Sequence, residues 1–492
     1  MSLIHVTNVS FSYEGSFDAV FENISLQLDT DWKLGFTGRN GRGKTTFLNL
    51  LQGKYEYSGT ITSAVEFAYF PYRATDREKN TLSIIDAISP RYQFWELSRE
   101  LSLLEVSEDV LTRPFSTLSG GEQTKVLLAA LFLTENRFLL IDEPTNHLDR
   151  RGREILGNYL SKKQGFILVS HDRAFLDRCV DHILSINKRD IEIQKGNFSS
   201  FLQNRERKEQ FEQMQNEKIK KDVKRLTEAA KRASDWSDRV EKTKYGTKNS
   251  GLSPDRGYLG HKSAKMMKRS KAIEGRTEAA MKEKRELLQN LESMEKLKIP
   301  CERYHSDRLA ELRNVTLSYD GKTACENVSF SIMRGDRIAL TGKNGSGKSS
   351  ILKLIRGEHI DFTGDYHKGS GLNISYVSQD ASFLKGNLSG FAEDSGIEES
   401  LFRAILSKLD ISKDQFLKDM GDFSNGQKKK VLLAKSLCEK AHLYVWDEPL
   451  NYIDVLSRMQ IESLLTEFCP TILFVEHDGM FCDRVATKTV AL

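Results

Sequence analysis

Cysteine is sparse and scattered in this chain. Six thiols, Cys179, Cys301, Cys325, Cys438, Cys469 and Cys482, are spread over 492 residues, and no two form a CxxC pair. That excludes a disulfide framework and argues against iron–sulfur or cysteine-ligated zinc centres, so reduced thiols are expected. No window approaches 18 consecutive apolar residues, so no transmembrane helix is expected. The first residues, Met1-Ser2-Leu3-Ile4-His5-Val6, lack a basic stretch followed by an apolar one. No signal peptide is therefore expected, and the chain is expected to stay in the cytosol. What remains is a globular composition, 39% apolar and 29% charged, with a mean hydropathy of -0.47. The net charge of +4 is unevenly placed: residues 201–300 hold 26 Lys+Arg against 16 Asp+Glu, so the positive charge lies in the middle hundred residues.

The two ends repeat each other. Phe21-Glu22-Asn23-Ile24-Ser25-Leu26 returns as Cys325-Glu326-Asn327-Val328-Ser329-Phe330, an offset of 304. Gly38 to Thr45 returns as Gly342 to Ser349, Asp142-Glu143-Pro144 as Asp447-Glu448-Pro449, and His171-Asp172 as His477-Asp478. Four features in one order with little drift mean a duplicated domain. The expected organisation is 1–199, a linker at 200–306, and 307–492. Short apolar runs such as Phe138-Leu139-Leu140-Ile141 and Phe166-Ile167-Leu168-Val169 alternate with helical segments, which predicts an α/β core with a mostly parallel sheet.

Gly38-Arg39-Asn40-Gly41-Arg42-Gly43-Lys44-Thr45 and Gly342-Lys343-Asn344-Gly345-Ser346-Gly347-Lys348-Ser349 both fit GxxxxGK[ST], each between an apolar strand and a helix opening at Thr46 or Ser350. A single copy could be a chance glycine turn; two in register are P-loops. Their backbone N–H groups can wrap phosphate oxygens, with the helix N-terminus adding a positive dipole end. Lys44 and Lys348 are expected at the β- and γ-phosphates, and Thr45 and Ser349 at Mg²⁺. Asp142 and Asp447 end apolar strands, as a second Mg²⁺ ligand would; Glu143 and Glu448, next in line, would polarise the attacking water. His171 and His477 also follow apolar strands. A lone histidine there would be a structural strand end, but beside these motifs a γ-phosphate contact is expected. ATP and Mg²⁺ are thus the expected cofactors.

Leu118-Ser119-Gly120-Gly121-Glu122-Gln123, about 20 residues before Asp142, resembles the signature motif of ABC ATPases. Tyr13 and Tyr319 sit where that family stacks adenine. Asp142-Glu143-Pro144-Thr145-Asn146-His147-Leu148-Asp149 resembles the ABC-F family, and the resemblance covers the whole chain, nearest to the Lsa and Vga type ribosomal protection branch. It implies two tandem P-loop ABC domains joined by an antiparallel helical hairpin, facing head to tail in a monomer. One composite site would combine Gly38–Thr45, Asp142, Glu143 and His171 with Ser424-Asn425-Gly426-Gln427. The other would combine Gly342–Ser349, Gln379, Asp447, Glu448 and His477 with Ser119–Glu122, with Gln379 also near the metal. The chain departs from the family pattern in the second signature, in Tyr69-Phe70-Pro71-Tyr72 where a glutamine is usual, and in Leu450-Asn451-Tyr452-Ile453-Asp454. The first two departures fall on one composite site, which puts equal hydrolysis in doubt.

Residues 202–241 lack Gly and Pro, and Phe211, Met214, Ile219, Val223, Leu226, Ala230 and Ala233 form a helical stripe. Met267, Ile273, Ala280, Leu287, Leu291 and Met294 suggest a second helix, with Gly246, Gly251, Pro254, Gly257 and Gly260 breaking the two apart. Residues 241–271 hold nine Lys+Arg and two Asp+Glu. A generic charged hairpin is simply solvated, but charge concentrated at a tip with Tyr245 and Tyr258 suits RNA. Lys244, Lys248, Arg256 and Lys262 would face phosphates, and Tyr245, Leu252 and Tyr258 would act by stacking and shape. The family's linker enters the ribosomal tRNA exit site, so the resemblance implies a bacterial ribosome, its 23S rRNA and P-site tRNA as partners, with no membrane and no DNA. It further implies protection from lincosamides, pleuromutilins and group A streptogramins. A housekeeping translation factor, or the ATPase subunit of a membrane transporter, are the alternatives.

Overall fold

The computed structural model describes residues 2–14, 19–72, 74, 76–134, 136–146, 148–186, 191–242, 257, 261, 264–265, 267–268, 271–272, 275–276, 297–319, 321–343 and 345–492. The chain divides into two compact units. One joins Met1–Ser199 with Met294–Leu492; the other is Ser200–Ser293. Among the described residues no helix is long and apolar enough to cross a membrane.

The first half begins with β1 (Leu3–Phe11), β2 (Phe21–Asp29) and β3 (Lys33–Thr37), followed by β4 (Ser58–Thr62), β5 (Glu66–Phe70), β6 (Arg137–Asp142), β7 (Phe166–Val169), β8 (His182–Ile186) and β9 (Ile191–Lys195). The second half holds β10 (Arg308–Tyr319), β11 (Lys322–Met333), β12 (Arg337–Thr341), β13 (Asp361–Lys368), β14 (Ile374–Val377), β15 (Leu443–Asp447), β16 (Ile472–Val475) and β17 (Lys488–Ala491). The duplication is visible in the topology. Three-stranded antiparallel sheets run β2-β1-β4 and β11-β10-β13, and larger sheets run β5-β6-β7-β3-β8-β9 and β14-β15-β16-β12-β17. The larger sheets are parallel except for the β8–β9 pair.

Strands covered on both faces should be apolar throughout rather than alternating. Accordingly β7 and β16 are buried at every residue, as is β15. Leu140, Leu168, Val445, Trp446 and Leu473 are all fully enclosed. Trp446 also keeps its indole N–H satisfied, donating to Ser436 Oγ at 2.9 Å.

Register then fixes the site. Asp142 lies opposite Val169 and Val169 opposite Phe36. In the second half Asp447 lies opposite Val475 and Val475 opposite Leu340. Each P-loop and each histidine starts two residues further on, so three motifs distant in sequence leave the same sheet edge together.

Helix Phe198–Lys242, most of which belongs to the second unit, has 45 residues, about 65 Å at about 1.5 Å per residue. Phe211 and Met214 of its apolar stripe are exposed. The tip residues Lys244, Tyr245, Lys248, Leu252, Arg256, Tyr258 and Lys262 lie outside the described residues, as does most of the second expected helix.

Core packing makes a direct prediction. Leu140→Ala is expected to cost about 2–5 kcal/mol. Leu417→Ala, at an 88% exposed position, should stay within about 0.5 kcal/mol. Denaturant titration of the two variants checks this.

Candidate ATP sites

Both P-loops are built by glycines in the left-handed region. Gly43 (φ 91°) and Gly347 (φ 84°) stand at the N-caps of helices Lys44–Leu51 and Lys348–Arg356. A Cβ on Gly43 would lie 2.6 Å from Val20, and one on Gly347 2.8 Å from the Ala324 carbonyl. Only glycine satisfies both the backbone and the space. The buried Lys44 ammonium donates to the carbonyls of Gly38 (2.7 Å) and Arg39 (3.1 Å). Lys348 does the same to Gly342 (3.0 Å) and Lys343 (2.7 Å). Asn344 lies outside the described residues.

Thr45 donates to Asp142 at 3.0 Å. A hydroxyl and a carboxylate beside phosphate-cradling amides suit Mg²⁺, which usually takes one or two protein oxygens and fills its shell with water and phosphate. Burial raises the Asp142 pKa, while hydrogen bonds from Tyr69 and Thr45 pull it down. Burial likewise raises Asp447, against a hydrogen bond from Ser349. Among the described residues no group of three or more His, Cys, Asp or Glu forms a metal cage.

The two glutamates share a strained backbone, φ 50° at Glu143 and 46° at Glu448. Each faces its histidine: His171 Nε2 is 3.3 Å from Glu143 Oε1, and His477 Nε2 is 3.5 Å from Glu448 Oε1. Their electrostatics differ. Burial and the Asp142 charge push Glu143 up to about 8. At Glu448 burial also pushes upward, but bonds from His477 and Gln379 and the Lys429 charge hold the carboxyl below its ordinary value. Gln379 reaches Glu448 Oε2 at 3.0 Å, and Asn451 binds the same oxygen. His171 is driven well below its ordinary pKa, chiefly by burial, and so is neutral.

Tyr13 keeps an exposed ring and shares a hydrogen bond with Thr46 (2.7 Å). Tyr319 is also exposed, and Ser350 is half-buried. The ring of Tyr13 packs edge-on against Phe11, 5.0 Å between centroids.

The signature serines cap helices. Ser119 and Glu122 form a capping box on helix Gly120–Phe132, and Ser424 and Gln427 form the same box on helix Asn425–Cys438. Gln427 therefore replaces glutamate without loss of the local fold, because its carbonyl accepts the same N–H. Gly121 is half-buried, whereas Gly426 is buried. Asn40 donates to the Tyr452 carbonyl at 2.6 Å, and a Cβ on Gly426 would lie 2.5 Å from that carbonyl and 2.8 Å from Asn40. The structure thus brings the first P-loop against the second signature. On the other side, a cavity of about 430 Å³ sets Asp149, Arg150 and Arg151 against Gly342, Lys343 and His477; Ser119–Glu122 are not among its lining residues.

Several site neighbours carried no recognisable motif. Tyr69 donates to Asp142 at 2.9 Å. Lys429, where the first half has Thr124, is buried and donates to the carbonyls of Ser378 (2.7 Å) and Asp447 (3.3 Å). Burial lowers its pKa to about 8. Arg39 and Arg42 direct their guanidinium groups at Asp410 of the second half, at 3.4 and 3.8 Å.

A parallel sheet with P-loop, acid pair and histidine at one edge, twice over, defines a tandem P-loop ATPase. The ABC transporter family model matches residues 21–146 and 325–451, just over half of the chain, and the protein belongs to that family. Ribosome protection protein VmlR of Bacillus subtilis is 28% identical, covering 100% of this chain and 86% of that protein. Erythromycin resistance ATP-binding protein MsrA of Staphylococcus epidermidis is 29% identical over 93% of this chain and 91% of its own length. ATP-binding protein Uup of Caulobacter vibrioides is 28% identical over 96% and 74%. An archaeal ribosome recycling factor, solved with a ribosomal stalk protein, superimposes with a TM-score of 0.64 at 18% identity, covering 98% of this chain and 87% of that one. At that identity the likeness is one of fold.

The close approach at Gly426 can be tested directly. Gly426→Ala should force the halves apart and lower ATP hydrolysis several-fold without unfolding either half; steady-state ATPase and circular dichroism test it. Water activation by a positioned base contributes about 10²–10⁴-fold, so Glu143→Gln and Glu448→Gln should each silence one site. Because Gln379, Asn451 and His477 all converge on Glu448, whereas His171 faces Glu143, Glu448→Gln should remove more of the total ATPase than Glu143→Gln. Equal losses, or the reverse order, count against unequal sites.

Proposed function

We propose that this ATPase is an ABC-F protein that works on the bacterial ribosome and protects it from antibiotics of the peptidyl-transferase region, namely lincosamides, pleuromutilins and group A streptogramins. It would be a cytoplasmic, ribosome-associated monomer, closest to the Lsa and Vga branch, with ATPase domains at 1–199 and 307–492 and a hairpin at 200–306. The observation that carries the reading is the long basic insertion between the halves: helix Phe198–Lys242 in a segment with ten more basic than acidic residues. It is supported by similarity along the whole chain to a protein named for ribosome protection.

In this reading the P-loop amides with Lys44 and Lys348 hold the phosphates, and Tyr13 and Tyr319 flank adenine. Thr45 with Asp142, and Ser349 with Asp447 and Gln379, would hold Mg²⁺, which supplies charge neutralisation on the β- and γ-phosphates. Glu143 and Glu448 accept a proton from water as it attacks. His171 and His477 steady the γ-phosphate, and the opposing signature completes each site. ATP binding would close the halves and favour the ribosome-bound state; hydrolysis would release it. The tip residues Lys244 to Lys262 would reach 23S rRNA near the P-site tRNA.

The similarity to Uup favours a second reading, a housekeeping translation factor without drug protection. Expression in a drug-sensitive bacterium separates the two. Ribosome protection predicts raised inhibitory concentrations, lost in the Glu143→Gln/Glu448→Gln protein. That double variant should co-sediment with ribosomes in ATP better than the wild type. Tyr258→Ala should lower resistance more than ribosome binding, since a stacked aromatic contributes about 1–3 kcal/mol. Lys244, Lys248, Arg256 and Lys262 changed to Ala should weaken ribosome binding and flatten its salt dependence. Unchanged susceptibility with intact ribosome binding supports the housekeeping reading; recovery in the membrane pellet supports a transporter subunit.

A further inference from the structure

Three ion pairs that join the two halves, Arg39–Asp410, Arg42–Asp410 and Arg173–Glu462, flank the first ATP site. Arg39 and Arg42 belong to its P-loop, and Arg173 lies two residues after its histidine, His171. The duplication supplies an internal control, because every partner has a counterpart. Lys343 and Ser346 stand where the first half has Arg39 and Arg42, and Gly479 and Gly157 are the counterparts of Arg173 and Glu462. Lys343 is exposed, whereas Arg39 is buried.

Asp410 has its own counterpart in Glu105, and both adopt the left-handed backbone, φ 65° and 50°. Their partners differ. Glu105 is bonded within its own half by Arg151 at 2.8 Å. The position matching Arg151 is Leu456, so Asp410 lacks that cation and reaches across to the opposite P-loop instead. A half-buried carboxylate facing two guanidinium groups interacts more strongly than an exposed surface pair, since less water screens it.

We propose that Asp410 is a positioning residue acting in trans: through Arg39 and Arg42 it fastens the first P-loop to the second half. The first site then holds its nucleotide while the second, whose matching Glu105 is tied within its own half, opens and turns over. This rests on the composite-site reading. The Asn40–Tyr452 bond pulls in the same direction, drawing the P-loop toward the opposing signature.

The test uses the full chain with Lys348→Ala, which leaves the first site as the nucleotide binder, and follows release of fluorescent mant-AMPPNP with Mg²⁺. Asp410→Asn is expected to speed release roughly three- to tenfold and to reduce its dependence on salt. Asp410→Glu should restore slow release. With Lys44→Ala instead, Glu105→Gln should leave release from the second site unchanged. Gly426→Arg reports on the composite site itself and should speed release from the first site. If Gly426→Arg acts and Asp410→Asn does not, the fastening is wrong and the composite site stands. If neither acts, the composite reading falls and the proposal with it. If Glu105→Gln accelerates release as much as Asp410→Asn, the one-sidedness is overturned.

Discussion

The parallel register of three strands is the constraint on which the site depends. In each half the P-loop, the acid pair and the histidine leave neighbouring strands at one level. A slip of a single residue would turn every side chain of the strand to the other face and carry Asp142 away from Thr45. Strands buried on both faces resist such a slip, because every residue of β7 and β16 would have to repack. Catalytic geometry is thus held by apolar packing some residues away from the chemistry.

Duplication makes two sites, but the copies have diverged where they meet. At the first, burial and the Asp142 charge push the Glu143 carboxyl up to about 8, and Arg39, Arg42 and Arg173 tie the halves together. At the second, Gln379, Asn451 and His477 converge on Glu448, and against burial, His477, Gln379 and the Lys429 charge hold its carboxyl below the ordinary value. The two carboxylates thus meet different surroundings in the same motif. Unequal sites would give an ATPase a way to separate staying closed from letting go.

The departures in the motifs have different physical meanings once packed. Gln427 in place of glutamate changes little, since either side chain closes the cap on Ser424. The segment Tyr69-Phe70-Pro71-Tyr72, which lacks the glutamine, instead supplies the Tyr69 hydroxyl to Asp142. Leu450 replaces Thr145, and the space near it is taken by Glu476, which accepts from the Leu450 N–H at 2.7 Å. In the first half the same place holds Thr145 and Ser170, 3.3 Å apart.

The duplication, the two P-loops, the acid pairs and the histidines were all legible in the amino-acid order, because each is a local pattern: a glycine spacing, an apolar run ending in acid, a repeat at constant offset. The α/β class followed from the alternation of strands and helices. Sequence order could not show that Arg39 and Arg42 meet Asp410, that Tyr69 meets Asp142, or that Gly426 abuts Tyr452. Those pairs are separated by tens to hundreds of residues and share no periodic signal; they exist only because packing brings distant surfaces together. The ionisation of Glu143 and Glu448 was equally hidden, since identical acids in matching motifs acquire opposite shifts from burial and from neighbours supplied by the fold. Local pattern names the chemistry this chain carries, because each motif is short and contiguous; only long-range packing sets the different surroundings that its two copies meet.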